Sequence, residues 1–184
     1  MTKEYSADRL DVKAFAQAAG HLAGHDSLLK YKRLAQVAHK LHPDLYVDWS
    51  ADGALRDRLG SGVQVWLHLR AQASFPVVCQ RCMQAMDVPL KVDRQFRFVA
   101  DEATAEAQDA ESEEDLLVLS REFALRELVE DELLMDLPLV PRHERCPVPV
   151  KMSAGEEDLD DPPSAAGNPF AALADMQVRK PTKG

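Results

Sequence analysis

The stretch VQVWLHLRAQASFPVVCQRCMQAMDVPLKVDRQFRF, residues 63–98, decides the fold. Its odd positions run Val63, Val65, Leu67, Leu69, Ala71, Ala73, Phe75, Val77 and Cys79, and the positions between are mostly polar (Gln64, His68, Arg70, Gln72, Ser74). After Cys82 the phase changes: Met86, Val88, Leu90, Val92, Phe96 and Phe98 alternate with Asp87, Lys91, Asp93, Gln95 and Arg97. Period two over this length predicts two long strands with one buried face each. Val65, Leu67, Leu69, Val88, Leu90 and Phe96 are the expected core. Residues 79–84 become the connection of a β-hairpin, with Cys79 and Cys82 on its turn. A Cys-x-x-Cys placed there can point both sulfurs at one metal ion, whereas a redox pair usually opens a helix.

Toward the N-terminus, residues 11–19 predict a short helix capped by Asp11 and stopped at Gly20. Residues 27–40 predict a second, with Ser27 as its cap and Leu28, Tyr31, Leu34, Ala35 and Ala38 on one face; Pro43 ends it. Residues 45–49 read as the first strand, and Gly53 opens a connecting loop. His21 and His25, on either side of Gly24, read as loop residues. Toward the C-terminus, residues 101–115 form an exposed acidic loop or a frayed helix. Residues 116–119 suit a short strand. Ser120 then caps a helix over 121–136, with Leu125, Leu128, Val129 and Leu133 facing the sheet and Glu127, Glu130 and Asp131 on the other side. Pro138 ends it.

The expected class is α+β: an antiparallel sheet built around the long hairpin, packed by N-terminal helices and one acidic C-terminal helix, in a single domain over 1–150. Residues 151–184 read as a largely disordered tail with a short helical motif at 168–177. There Asn168 is a good cap, Pro169 fits the first helical position, and Phe170, Leu173 and Met176 give one apolar stripe. That stripe packs on its own domain or docks a partner. No internal repeat is visible.

With 184 residues, 46% of them hydrophobic, the chain supports one domain with a substantial core. No apolar run approaches the ~20 residues that span a bilayer, and residues 1–11 lack the apolar stretch of a signal peptide. The expected location is the cytoplasm, away from membranes. Three cysteines make an odd number for a disulfide framework and suit reduced thiols. The net charge of −9 is unevenly spread: residues 1–100 sum to +4, residues 101–161 to −15 and residues 162–184 to +2. A whole-chain basic footprint for nucleic acid is absent. The acidic stretch repels phosphate and suits a basic protein partner.

Cys79, Cys82, His143 and Cys146 read as Cys-x-x-Cys followed by His-x-x-Cys, an accepted Cys₃His set for one structural zinc. Arg81, between the first two cysteines, would lower their pKa values. A site made from them would staple the hairpin tip to the segment after the acidic helix; the other reading is three reduced cysteines with no metal. For RNA contact, the polar face of the hairpin offers Trp66, His68, Arg70, Lys91, Arg94 and Arg97, with Arg81 extending the patch at the turn. An exposed aromatic beside cations can stack a base while the cations hold phosphates; a solvated sheet face is the plainer reading. His39, His42 and Asp44 lack a further ligand and read as ordinary helix-end residues. Neither a Gly-rich phosphate loop nor Gly-x-Ser-x-Gly occurs, and the acidic residues at 127–132 suit a solvent face. No enzyme signature is found.

Three segments together carry a resemblance. VCQRCMQAMDVPL puts the Cys-x-x-Cys on a hairpin, LVEDELLMDLPLVPRHERC joins an acidic helix, a Leu-Pro-Leu-Val-Pro turn and a further cysteine, and NPFAALADMQVRK is an Asn-Pro-Phe-Ala tag near the end. In this order they resemble the YceD family of bacteria, described as the large ribosomal RNA subunit accumulation protein. The resemblance implies a non-enzymatic role in synthesis, processing or stability of 23S rRNA. The partner would be 23S rRNA or its precursor, met directly or through a basic ribosomal or RNA-processing protein. Some relatives carry a second cysteine pair downstream; here that region offers Cys146 with His143. The alternatives are a zinc-binding interaction module unconnected to ribosomes and a Cys-x-x-Cys redox enzyme.

Overall fold

A computed structural model describes residues 5–58 and 62–150. The tail read from sequence as disordered, the helical motif expected at 168–177, and Phe170 and Leu173 lie outside the described residues. The chain falls into two units, Met1–Val148 and Pro149–Gly184, and all secondary structure among the described residues belongs to the first.

Five strands form one sheet in the order β1-β2-β3-β4-β5: β1 His21–Ser27, β2 Tyr46–Arg58, β3 Gly62–Val78, β4 Ala85–Val99 and β5 Asp115–Val118. The first four are antiparallel neighbours, and β5 runs parallel to β4. The long hairpin is β3 and β4, with Leu67 opposite Phe96 and Phe75 opposite Val88. The helices are α1 Val12–Gln17, α2 Lys32–Val37, α3 Glu102–Asp109 and α4 Leu125–Met135, with a single 3₁₀ turn at Leu28–Lys30. The fold is the expected α+β class.

One sheet face is apolar and covered by α1, α2 and α4. Leu67, Leu69, Phe75, Leu90 and Phe96 are buried there with Phe15, Leu34, Leu125, Val129 and Leu133. Of the expected hairpin core, Val65 is also buried and Val88 is partly buried. Val63 is exposed, because that end of β3 runs past the helices.

Several boundaries differ from expectation. β2 does not stop at Gly53 but runs on to Arg58. A Cβ at Gly53 would stand 2.6 Å from the Phe15 ring, so this glycine makes room for α1 rather than breaking the strand. His21 and His25 lie on strand β1, opposite Asp52 and Asp48. Gly24 belongs to the same strand because the Trp49 indole fills the space of its missing Cβ. The second helix is shorter than 27–40. Ser27 makes no side-chain cap, and α2 begins only at Lys32.

That late start has a long-range cause. Glu130, expected on the outer face of α4, is buried. Its carboxylate accepts from the backbone N–H of Arg33 at 2.6 Å and of Leu34 at 3.1 Å, so it caps α2 from another helix. The last helix also starts later than Ser120, at Leu125. Residues before it bind the N-terminal segment instead, through Leu10 N–H to the Phe123 carbonyl at 2.8 Å and the reverse bond at 2.9 Å. In the acidic stretch, Asp101 caps α3 by accepting from Thr104 N–H at 2.8 Å, and no residue of that helix is buried.

Candidate metal centre

The hairpin tip is closed by two backbone bonds. Cys79 N–H donates to the Gln84 carbonyl and Met83 N–H to the Cys79 carbonyl, both at 2.9 Å. Met83 takes a positive φ of 58°, which tightens the turn after Cys82. The next element is β4, so the cysteine pair opens no helix.

Past α4 the chain returns to this tip. The Asp136 carboxylate accepts from Lys91 N–H at 2.7 Å and pins the helix end to β4. The segment 137–148, with prolines at 138, 141 and 147, then runs alongside the turn as an irregular strap. Gln80 N–H donates to the Pro141 carbonyl at 2.8 Å. The Arg81 guanidinium donates to the His143 carbonyl at 2.8 Å, to the Glu144 carbonyl at 3.3 Å and to Cys146 Sγ at 3.1 Å. His143 N–H points at Cys79 Sγ at 3.4 Å, and His143 Nδ1 lies 3.4 Å from Cys82 Sγ.

The four residues separated by about sixty positions therefore meet. The ligand atoms of Cys79, Cys82, His143 and Cys146 all lie within 4.8 Å of one another. A tetrahedral zinc with ordinary bond lengths needs sulfur–sulfur edges of about 3.8 Å and sulfur–nitrogen edges of about 3.6 Å. The cluster is compatible with such a site. Cys79 is fully buried and the other three are half-buried, which fits a closed structural set rather than an open catalytic one.

The electrostatics suit a cation. Burial opposes a charge on Cys79, but the backbone N–H groups of His143, Cys82 and Arg81 converge on it and bring its thiol down to about 5. Burial pushes the Cys82 thiol up, and the neighbouring Cys146 and Cys79 sulfurs add to this. One thiolate is thus supplied in advance at Cys79, while ionisation of Cys82 is resisted until a cation shares the charge. Arg81 acts on Cys146, by direct hydrogen bond; toward Cys79 it offers its backbone N–H.

The residues expected to contact RNA do not share one surface. Trp66 and Arg70 lie on the open sheet face with His68 and Lys91. The Arg56 guanidinium stacks 4.3 Å above the Trp66 ring. Arg70 pairs with Asp52 at 3.5 Å. Arg81 is held against Cys146 and the strap carbonyls of His143 and Glu144. Arg94 lies on the opposite, helix-covered face, opposite Leu69, and pairs with Asp115 and with Glu132 at 3.9 Å. Arg97 points to the open face but is buried there, because Glu114, Gln108 and Ser112 close over its guanidinium at 2.7–2.9 Å.

Sequence reasoning missed a buried polar cluster around Asp26. Its carboxylate accepts from Lys30, Tyr31, Trp49 and Arg126, at 2.6–3.3 Å. These partners are spread along the chain, from the 3₁₀ turn and the residue after it to β2 and α4, so no local pattern marks the cluster. Among the described residues no buried side-chain nitrogen or oxygen lacks a hydrogen-bond partner, so the cluster is a staple between β1, β2 and α4.

A family model described as "Large ribosomal RNA subunit accumulation protein YceD" matches residues 67–177, more than half of the chain. The match takes in the hairpin tip, α4 and the strap. No curated protein and no solved structure matches. Among the described residues no helix is long and apolar enough to cross a membrane.

Proposed function

The chain belongs to the YceD family, and on that premise we propose that it is a non-enzymatic accessory factor in synthesis, processing or stability of 23S rRNA, acting in the cytoplasm. The family match carries this reading. We assign one structural zinc to Cys79, Cys82, His143 and Cys146. Its role is to lock the strap to the hairpin tip.

The factor reaches 23S rRNA or its precursor directly or through a basic ribosomal or RNA-processing protein. Direct contact would use the open face, with Trp66 and Arg56 for stacking and Arg70 for phosphate, and Arg81 near the tip. The adaptor route has the better support, because Arg94 and Arg97 are committed to internal partners and the acidic 101–161 stretch opposes phosphate. In the adaptor route Phe170 and Leu173 anchor the partner.

The test is made in cells lacking the protein, by measuring 23S against 16S rRNA after re-expression. The full chain should restore 23S rRNA, and Phe170→Asp with Leu173→Asp should lose most of the recovery. Trp66→Ala with Arg70→Ala should keep it. The reverse pattern replaces the adaptor route by direct RNA binding. Failure of the unaltered chain to restore 23S rRNA removes the proposal. Elemental analysis of protein purified without chelator should find one zinc per chain, and none would strike the metal assignment.

A further inference from the structure

The metal end of the molecule carries more than a staple. Ten large apolar side chains are exposed among the described residues, and four of them lie on the hairpin tip or the strap: Met83, Leu139, Val140 and Val148. Leu139 is fully exposed. Such exposure is ordinary on a loose loop, but this segment is fastened. Leu139 and Val140 sit between Asp136, bonded to β4, and Pro141, whose carbonyl is bonded to Gln80. Prolines at 138 and 141 narrow the backbone further. A rigid, solvent-facing apolar cluster is what an interaction surface needs, since little ordering entropy is left to lose on binding.

The charges beside it are also open to a partner. Arg9, Arg33, Arg70, Arg94, Arg97 and Arg126 each pair with a carboxylate. Arg142 and Arg145, which flank His143 and Glu144 on the strap, are exposed and, like Arg121, have no such partner among the described residues. Arginine beside a desolvatable apolar anchor is a common hot-spot composition. Residues 79–84 and 135–148 hold no Phe, Tyr or Trp, and the one imidazole, His143, sits in the Cys₃His cluster, so base stacking at this end is left to arginine planes alone.

We infer that the strap is a second docking surface, which takes a protein partner presenting an apolar pocket rimmed by carboxylates. Leu139 and Val140 fill the pocket, and Arg142 and Arg145 meet the rim. This rests on the adaptor reading and gives it a second contact, opposite in charge preference to the acidic stretch. The acidic helix α3 follows directly on the far end of β4, fifteen residues from the tip.

The test uses the full-length chain in cells, with a photo-crosslinking residue at the exposed position 135. The cross-linked peptide is identified by mass spectrometry. The expected adduct is a protein segment with net negative charge. Its yield should fall about tenfold or more in Leu139→Asp and in Arg142→Glu with Arg145→Glu. Lysine in place of the partner's carboxylates should restore the adduct to the double arginine variant. Equal zinc content and unfolding midpoint confirm that the variants fold. Leu139→Ala serves if the aspartate does not. Adducts to RNA, to a neutral or basic segment, or only to residues 156–161 of the same chain overturn the inference, as does a yield unmoved by these changes. If the strap variants lose nothing while Phe170→Asp with Leu173→Asp still lowers 23S rRNA, this surface falls and the adaptor role stands.

Discussion

The body of the β3–β4 hairpin and its tip are two stretches of the same ladder held by different physics. Along the body, Leu67, Leu69, Phe75, Leu90 and Phe96 are buried beneath helices. At the tip only Cys79 is buried, and Gln80, Arg81, Met83 and Gln84 face solvent. The cause is length. The 17 residues of β3 extend about 55 Å, while the helices over this face, of 6, 6 and 11 residues, reach about 9 to 16 Å each. A two-stranded ribbon running beyond its helical cover is marginal in water. Here the strap, its backbone bonds and the Cys₃His cluster replace the missing cover. A short polar end can thus be fixed by cross-linking where hydrophobic burial runs out.

The largest effect should come from the body. Leu67→Ala empties a fully buried position and should cost about 2–5 kcal/mol in urea unfolding. A loss below about 0.5 kcal/mol would mean that the apolar face is not what holds the hairpin. Glu130→Ala comes next. It leaves the N–H groups of Arg33 and Leu34 without their acceptor and should cost about 1–3 kcal/mol. Faster amide exchange should appear in α2 before α4, and uniform protection would show that the cap is dispensable.

The smallest global effect is expected at the tip. Stripping zinc, or Cys79→Ser, should move the unfolding midpoint by less than about 3 °C. Exchange at the Gln80 and His143 amides should rise about a hundredfold, with protection around Leu67 unchanged. A global loss matching that of Leu67→Ala would erase the distinction between the two regions. Acid should separate them as well. The folded Cys79 thiol sits at about 5, below its unfolded value of about 8.5. Its contribution is complete above the unfolded value and disappears as pH falls through about 5. Burial opposes ionisation of Asp26, but hydrogen bonds from Lys30 and Trp49 and the charge of Arg126 hold its carboxyl below the ordinary carboxylate range. Its contribution is therefore present above about 4 and lost below that. Metal release should precede loss of Trp49 fluorescence on acidification, and the opposite order would contradict the assignment.

Much of the body was readable from local pattern. Alternation located the hairpin and its buried face, and the same parity placed Arg94 with Phe96 and Phe98, although its charge drew it into a polar patch. Gly53 and Gly24 read as breakers because a sequence does not display the Phe15 and Trp49 rings that occupy the space of their missing Cβ atoms. Arg97 followed the correct parity and is still buried, since the residues covering it come from α3 and the loop that leads into β5. The start of α2 was misplaced because its cap comes from Glu130, about a hundred residues away.

By itself the sequence determined the α+β class, the hairpin, the turn that presents Cys79 and Cys82, and four residues with zinc-type chemistry. These follow from periods and spacings that act within a few residues of one another. Only the tertiary structure decided that His143 and Cys146 reach Cys79 and Cys82, and that Glu130 and Asp26 are buried with their partners satisfied. It also decided which arginines are already neutralised. Those outcomes depend on how the chain closes between α4 and the hairpin tip, which is set by packing and hydrogen bonds across the whole domain and by no local pattern.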